Sequence, residues 1–329
     1  MYRHPTLTRS RMQRNTVGLA CAASAVSTKR AALPVVLLLL MGFAYERTAV
    51  TQPGLVRQLA PGVFSRQGDR DVRQPANTSW IEFRNFVVVI DANTPWGIRA
   101  VLPEIKKTTP KPVRYVFDTH YHWDHTQGNS IMADEGVTVI CSQDCASELN
   151  TKGREEWTAM SKRTDYSLAP YRLEPPSLVF DTFMAIDDGD RRLELRRVGP
   201  AHTIGDAVAF LPKEGILFTG DLCVNWRSGN NVGDRDADHP HWVAVLNDLA
   251  KWDVKTVIPG HGGAGTVATL TAQSAFLGDL WKQVSAGKKA GKTVDQLLQE
   301  IDLSRHGDFA ADVQQNQSAI RAVFRKAPG

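Results

Sequence analysis

His120-Tyr121-His122-Trp123-Asp124-His125 gathers three imidazoles and a carboxylate at the end of the apolar run Val113-Arg114-Tyr115-Val116-Phe117. Such a group is costly to hold together in a folded chain unless something positive sits between its members. A divalent metal is the usual reason. Side chains two apart share a face of an extended chain, so His120 and His122 can grip one ion. Asp124 and His125 then face a neighbouring position, which points to a second ion beside the first.

Nine histidines are present, and five of them fall in three short motifs. Besides the opening cluster there are Gly199-Pro200-Ala201-His202-Thr203-Ile204-Gly205-Asp206 and Ile258-Pro259-Gly260-His261-Gly262-Gly263. A further carboxylate, Asp221, ends the run Phe218-Thr219-Gly220-Asp221. All four motifs are expected at strand ends, where loops from several strands converge on one rim. One ion would take His120, His122 and His202, and the other Asp124, His125 and His261. Asp221, with two oxygens, can bridge them. Three-imidazole coordination is a catalytic zinc arrangement that leaves a position open for water. Two divalent ions facing two carboxylates carry surplus positive charge. That surplus would lower the pKa of a shared water toward neutrality, yielding a hydroxide nucleophile, and would stabilise a developing oxyanion.

Taken together, His120-x-His122-x-Asp124-His125, Gly-Pro-Ala-His202-Thr, Thr-Gly-Asp221 and Pro-Gly-His261-Gly resemble the ligand set of the metallo-β-lactamase superfamily. The resemblance covers roughly residues 56–288. It implies an α+β fold, a four-layer αββα sandwich with two Zn(II) ions at the sheet edges. It also implies water-driven hydrolysis of an ester, thioester, lactone, amide or phosphoester. Because His122 is an imidazole and not a carboxylate, the site is more similar to the zinc hydrolases than to the di-iron oxygen reductases. A single-iron persulfide dioxygenase is an alternative, and a non-enzymatic metal-binding partner of a periplasmic redox system is another.

Within that superfamily, Asn231-x-Gly233-Asp234-x-Asp236 is similar to the β-lactamase loop whose asparagine polarises the substrate carbonyl. Asn231 is therefore the candidate for that role, with an ordinary Asn/Gly turn as the alternative. Asp124 is the candidate for orienting the nucleophile and carrying a proton. Two departures point away from a lactam. The lactamases with that loop have cysteine at the position of Asp221, where glyoxalase-type thioesterases have a carboxylate. They also have a lysine three residues on, where this chain has Val224; Arg227 or Arg235 would have to supply the cation. Trp80, Trp123 and Trp226 are candidate apolar walls around the metals. Asp118, and less directly Asp206, are candidates to orient a ligand histidine from outside the coordination sphere.

The elements that must position these residues are readable from pattern. Strands are expected at Val56–Gln67, Ser79–Phe83, Phe86–Asp91, Val113–Asp118 and Val137–Cys141, then at Leu178–Ile186, Arg192–Arg197, Ala207–Leu211, Gly215–Thr219 and Thr256–Ile258. Helices are expected from Pro95 to about Lys107, after His125, from about Ser142, at His239–Lys251, at Thr266–Gly287 and within 293–325. The polar stretch Gly68–Asn77 is expected as a mobile hairpin loop. Two β-rich halves, each closed by helices, suggest two sheets packed face to face with helices outside.

Residues 1–30 carry six basic residues and no acid, followed by the apolar run 31–44. This pattern is that of a secretory signal cleaved near Ala44, or of an uncleaved anchor, and it implies a secreted or periplasmic protein. Without those residues the formal net charge of +4 falls to −2, so the basic character belongs to the leader and does not suggest nucleic-acid binding. A small-molecule substrate is the expected partner. Residues 45–55 are expected as a linker, 56–288 as the hydrolase domain and 289–329 as a C-terminal helical extension. Cys141 and Cys145 either pair or remain two thiols.

Overall fold

Valine-, isoleucine- and phenylalanine-rich runs build two sheets, because branched and aromatic side chains pack well on a pleated, half-buried surface. The computed structural model describes residues 52–163, 166–225 and 232–329. The expected leader, Trp226, Arg227 and Asn231 lie outside the described residues. The first sheet contains β1 (Val56–Ala60), β2 (Val63–Arg66), β3 (Thr78–Glu82), β4 (Val87–Ile90), β5 (Val113–Phe117), β6 (Thr138–Ser142) and β7 (Leu178–Phe180), adjacent in chain order. The second contains β8 (Phe183–Asp187), β9 (Arg192–Arg197), β10 (Ala207–Leu211), β11 (Ile216–Asn225) and β12 (Thr256–Gly262), in the order β12-β11-β10-β9-β8.

The helices are α1 (Pro95–Thr108), α2 (Trp123–Thr126), α3 (Asn129–Asp134), α4 (Gln143–Glu148), α5 (Arg154–Ser161), α6 (His239–Leu249), α7 (Val267–Lys289), α8 (Val294–Glu300) and α9 (Val313–Lys326). Strand alternation sorts their partners into layers. On β4, Val88 and Ile90 face the second sheet's Leu195, Ala209 and Phe218, while Val87 and Val89 face Ile98 and Val101 of α1. On the second sheet Val208, Leu217 and Val257 pack outward against Trp242 of α6 and Phe276 of α7. The result is the four-layer αββα order. Among the described residues, no helix is long and apolar enough to cross a membrane.

Several expected elements change in the structure. The single strand expected over Leu178–Ile186 is two strands, β7 and β8, one in each sheet, with Asp181 and Thr182 at the crossing. The 68–77 loop is pinned, not loose at its base: Asn77 Nδ2 donates to the Pro259 and Gly262 carbonyls at 2.8 Å each, and Thr94 Oγ1 donates to the Arg73 carbonyl at 2.6 Å. Leu297, Ile320 and Val323 join the same core as Trp242 and Phe276. Cys141, Cys145 and Cys223 are buried free thiols, so the second of the two alternatives for Cys141 and Cys145 holds.

Candidate metal centre

β4 and β5 are parallel neighbours, with Ile90 opposite Phe117, so their C-terminal ends open onto the same rim. The chain leaving β5 carries Thr119, His120 and His122 across that rim, and α2 carries Asp124 and His125. Asp221 and His261 arrive from the second sheet, and here the strand-end expectation fails. Both residues lie within strands, because β11 runs on to Asn225 and β12 to Gly262. The pairing of β11 with β12 slips on both sides of Gly220, the irregularity that aims Asp221 into the rim. Glycine is required at both crossings: Gly220 has φ +51°, and a Cβ on Gly260 would lie 1.9 Å from Asp221 Oδ1.

The seven expected side chains come together in two groups. His120, His122, His202 and Asp221 form one, and Asp124, His125 and His261 the other, with donor atoms inside each group within 4.8 Å of one another. His120 Nε2 lies 3.1 Å from His122 Nδ1. Asp221 belongs to the first group, yet its Oδ1 lies 3.3 Å from His125 Nε2 and 3.2 Å from His261 Nε2 of the second. Asp124 Oδ2 is 3.3 Å from His261 Nε2. Asp221 therefore occupies the junction of the two groups. Asn231 cannot be placed against them, since it lies outside the described residues.

The outward ring nitrogens are held by partners, which leaves the inward ones as donors. Thr119 Oγ1 is 3.0 Å from His120 Nδ1, Asp234 Oδ2 is 2.8 Å from His122 Nε2, and the Pro75 carbonyl is 2.8 Å from His261 Nδ1. Asp91 Oδ2 takes His125 Nδ1 at 2.9 Å and also accepts from Thr119 Oγ1 at 3.1 Å. His125 Nε2 is buried and, among the described residues, faces only the carboxylates of the site, with Asp221 Oδ1 at 3.3 Å. An inward lone pair left in this way fits a cation, and the donor set of imidazole nitrogens and carboxylate oxygens suits zinc or another transition metal.

Electrostatics favour the same conclusion. Burial, reinforced by His125 and His122, holds the His120 imidazole well below its usual pKa, so it is a neutral donor. Burial also opposes charge on His122 and His125, but neighbouring carboxylates win. Asp234 lifts His122 to about 9, and Asp91 with Asp221 lifts His125 well above the usual imidazole range. Asp221 stays ionised despite burial, because His261 and His125 hold its carboxyl well below the usual range. The carboxylates around His122 and His125 favour positive charge there, while the first imidazole refuses a proton. A metal-binding His/Asp cluster satisfies both demands.

Three expectations about supporting residues need correction. Asp118 does not orient a histidine: its Oδ2 accepts from Asn129 Nδ2 at 2.6 Å, and burial raises its pKa well above the carboxylate norm. Asp91, one strand over, takes that task, in a left-handed conformation (φ +61°) that turns its side chain back to the rim. Its signal was available in the sequence, since it too ends an apolar strand ahead of a helix start at Thr94. Asp206 orders the loop more than the ring: it accepts from Thr203 N and Thr203 Oγ1 at 2.7 Å each, while His202 Nδ1 is 3.8 Å away. Trp80 is buried in the outer layer and donates to Thr108 Oγ1 at 3.0 Å, so it forms no wall of the site. Trp123 does, lining a cleft of about 380 Å³ together with Arg70, Asp124, Glu156, Gly233 and Gln315.

Comparison with known proteins agrees with this geometry. The chain is 23% identical over 246 residues to a linear primary-alkylsulfatase of Pseudomonas sp. (strain ATCC 19151), covering 63% of this chain and 46% of that one. It is 22% identical over 196 residues to a metallo-beta-lactamase type 2 of Bacillus sp. (strain 170), covering 58% of this chain and 68% of that one. The chain thus spans less than half of the alkylsulfatase. Among solved structures, a metallo-beta-lactamase from Pontibacter korlensis superposes with TM-score 0.56 at 23% identity, covering 68% of this chain and 98% of that one. The sec-alkylsulfatase Pisa1 from Pseudomonas sp. superposes with TM-score 0.67 at 19% identity, covering 82% and 50%. A family model described as the metallo-beta-lactamase superfamily matches residues 72–261, more than half of the chain and a span that holds all seven converging side chains. The chain belongs to the metallo-β-lactamase superfamily.

Proposed function

We propose that this protein is a secreted or periplasmic dinuclear zinc hydrolase that cleaves a carbonyl substrate: a lactone, ester or thioester in preference to a β-lactam. The observation that carries the proposal is Asp221, whose Oδ1 stands at the junction of the two donor groups, 3.3 Å from His125 Nε2 and 3.2 Å from His261 Nε2. His120, His122 and His202 would hold one ion and Asp124, His125 and His261 the other, with Asp221 shared between them. When bound, two such ions supply an activated water near neutral pH and a positive field for the oxyanion.

The chain's own residues supply the remainder. Asp124 lines the cleft, where its carboxylate can orient the attacking water and accept its proton. Trp123 offers an apolar wall to the substrate's body. Asn231 keeps its proposed role at the substrate carbonyl on sequence grounds, two residues ahead of the cleft-lining Gly233. The charge of the cleft supports this choice of substrate class. Val224, at the position of the lactamase lysine, is buried and apolar. Arg235 is paired with Glu155 at 2.9 Å and does not line the cleft. Arg70 is the one Lys or Arg among the described cleft-lining residues, and it is opposed by the carboxylates of Glu156 and Asp234. Among these described residues an anionic lactam finds little compensation.

The test is a substrate panel with zinc-loaded protein: a chromogenic cephalosporin, an aromatic lactone, an acyl thioester and a long-chain alkyl sulfate. A kcat/KM at least about tenfold higher on the lactone or thioester than on the cephalosporin is expected, the discrimination that about 1.4 kcal/mol provides. Turnover of the alkyl sulfate alone would contradict the carbonyl assignment.

A further inference from the structure

Two segments bring the first group's histidines and a third supports one of them: 119–122 carries His120 and His122, the 199–206 loop carries His202, and the 232–238 segment carries Asp234 to the back of His122. All three are tied to one ammonium. Lys152 Nζ donates to Glu148 Oε1 at 2.9 Å and to Asp236 Oδ2, and it lies 5.8 Å from the ring of Tyr121, between His120 and His122. Glu148 passes the tie onward, accepting from Gly205 N at 2.8 Å and Ile204 N at 3.3 Å, just past His202. Asp236 passes it the other way, because its backbone N–H donates to Asp234 Oδ1 at 2.8 Å, and Asp234 Oδ2 meets His122 Nε2 at 2.8 Å.

The local backbone is built for this reach. Lys152 stands on a π-helical turn, Leu149–Gly153, inserted between α4 and α5. Such turns rotate a side chain out of register with the regular helix on either side and recur at functional sites. The 199–206 loop also lies flush on α4: a Cβ on Gly205 would sit 2.2 Å from Cys145 N, and Ser142 Oγ donates to the Gly205 carbonyl at 2.7 Å. Lys152 is mostly buried, with 19% of its side chain exposed. Its ion pairs are therefore screened less than surface pairs, and removing it would leave Glu148 and Asp236 as facing carboxylates.

The geometry points to Lys152 as a positioning residue for the first metal group: its ammonium fixes the spacing of His202 against His122 by holding Glu148 and Asp236 together. It touches no ligand nitrogen and acts through these two carboxylates. The inference rests on the metal site proposed above and assigns Lys152 to one half of that site only.

The experiment is zinc titration of the full-length, metal-free protein against a chromogenic chelator, one donor group at a time. In a His261→Ala background, which cripples the second group, Lys152→Gln is expected to weaken zinc binding 10–100-fold, the usual effect of removing an outer support of a ligand. Lys152→Arg, which keeps the charge, is expected to restore affinity to within roughly threefold. In a His202→Ala background, which cripples the first group, Lys152→Gln should leave affinity within about twofold. Equal weakening in both backgrounds would mean a general structural role and would overturn the inference, as would no weakening in either. Should Lys152→Gln fail to fold by circular dichroism, Glu148→Gln cuts the same link from the loop side and is scored by the same criteria. Failure of the unsubstituted chain to bind zinc at either group would instead overturn the metal site itself.

Discussion

Asp124→Ala is expected to lower kcat/KM on any accepted substrate by roughly 10³-fold, the scale of several kcal/mol of lost transition-state stabilisation. The size follows from position. Asp124 is one of three donors in the second group, its Oδ2 lies 3.3 Å from His261 Nε2, and it also lines the cleft. On the proposed mechanism, one substitution thus removes a metal donor and the carboxylate that would steer the water. The first group keeps all four of its members, so the variant should fold and retain metal there. Steady-state kinetics beside circular dichroism checks this outcome. A folded Asp124→Ala protein within about tenfold of normal activity would show that the second group is not part of the chemistry.

Chelation should produce the second large effect: complete loss of hydrolysis and a fall in melting temperature on the order of 10 °C, both reversed by added zinc. Binding at 100–1,000 times the dissociation constant contributes about 3–4 kcal/mol to the folded state, and a domain of this size converts each kcal/mol into a few degrees. The buried groups make the effect specific. Asp221, His120, His125 and His202 are almost wholly buried, so water compensates their donor atoms only in part when the cation leaves. Differential scanning fluorimetry before and after chelation measures it directly. An unchanged melting curve, with metal removal verified, would contradict a cation held by these side chains.

The donor residues were legible in the sequence because their chemistry is written in residue type. Three imidazoles and a carboxylate within six positions have few uses apart from a cation, and the strands that deliver them are marked by valine-rich runs. What lay hidden depends on direction in space. Asp91 and Asp118 both end parallel strands, yet only Asp91 turns toward His125, and its left-handed backbone is not visible as a pattern. Residue pattern puts Asp221 and His261 at strand ends, whereas slipped pairing around Gly220 lets β11 run four residues past Asp221 and β12 one residue past His261. The division of 178–186 between two sheets was hidden for a similar reason, since an apolar run does not record which sheet it joins. Long-range supports were least legible. Pro75, fixed against His261 from 186 residues away, and Lys152, tied to Asp236 from 84 residues away, carry no local signal. The packing of 289–329 onto α7, with Gln315 reaching the cleft, is likewise a tertiary outcome that helix pattern alone does not specify.

Elemental analysis of the purified full chain, by inductively coupled plasma mass spectrometry after zinc loading and removal of loosely bound metal, tests the proposed dinuclear centre most directly. Two zinc ions per chain are expected, falling to one in the His261→Ala variant. A single equivalent in the unsubstituted protein, or iron in place of zinc in protein analysed as purified, would contradict the account.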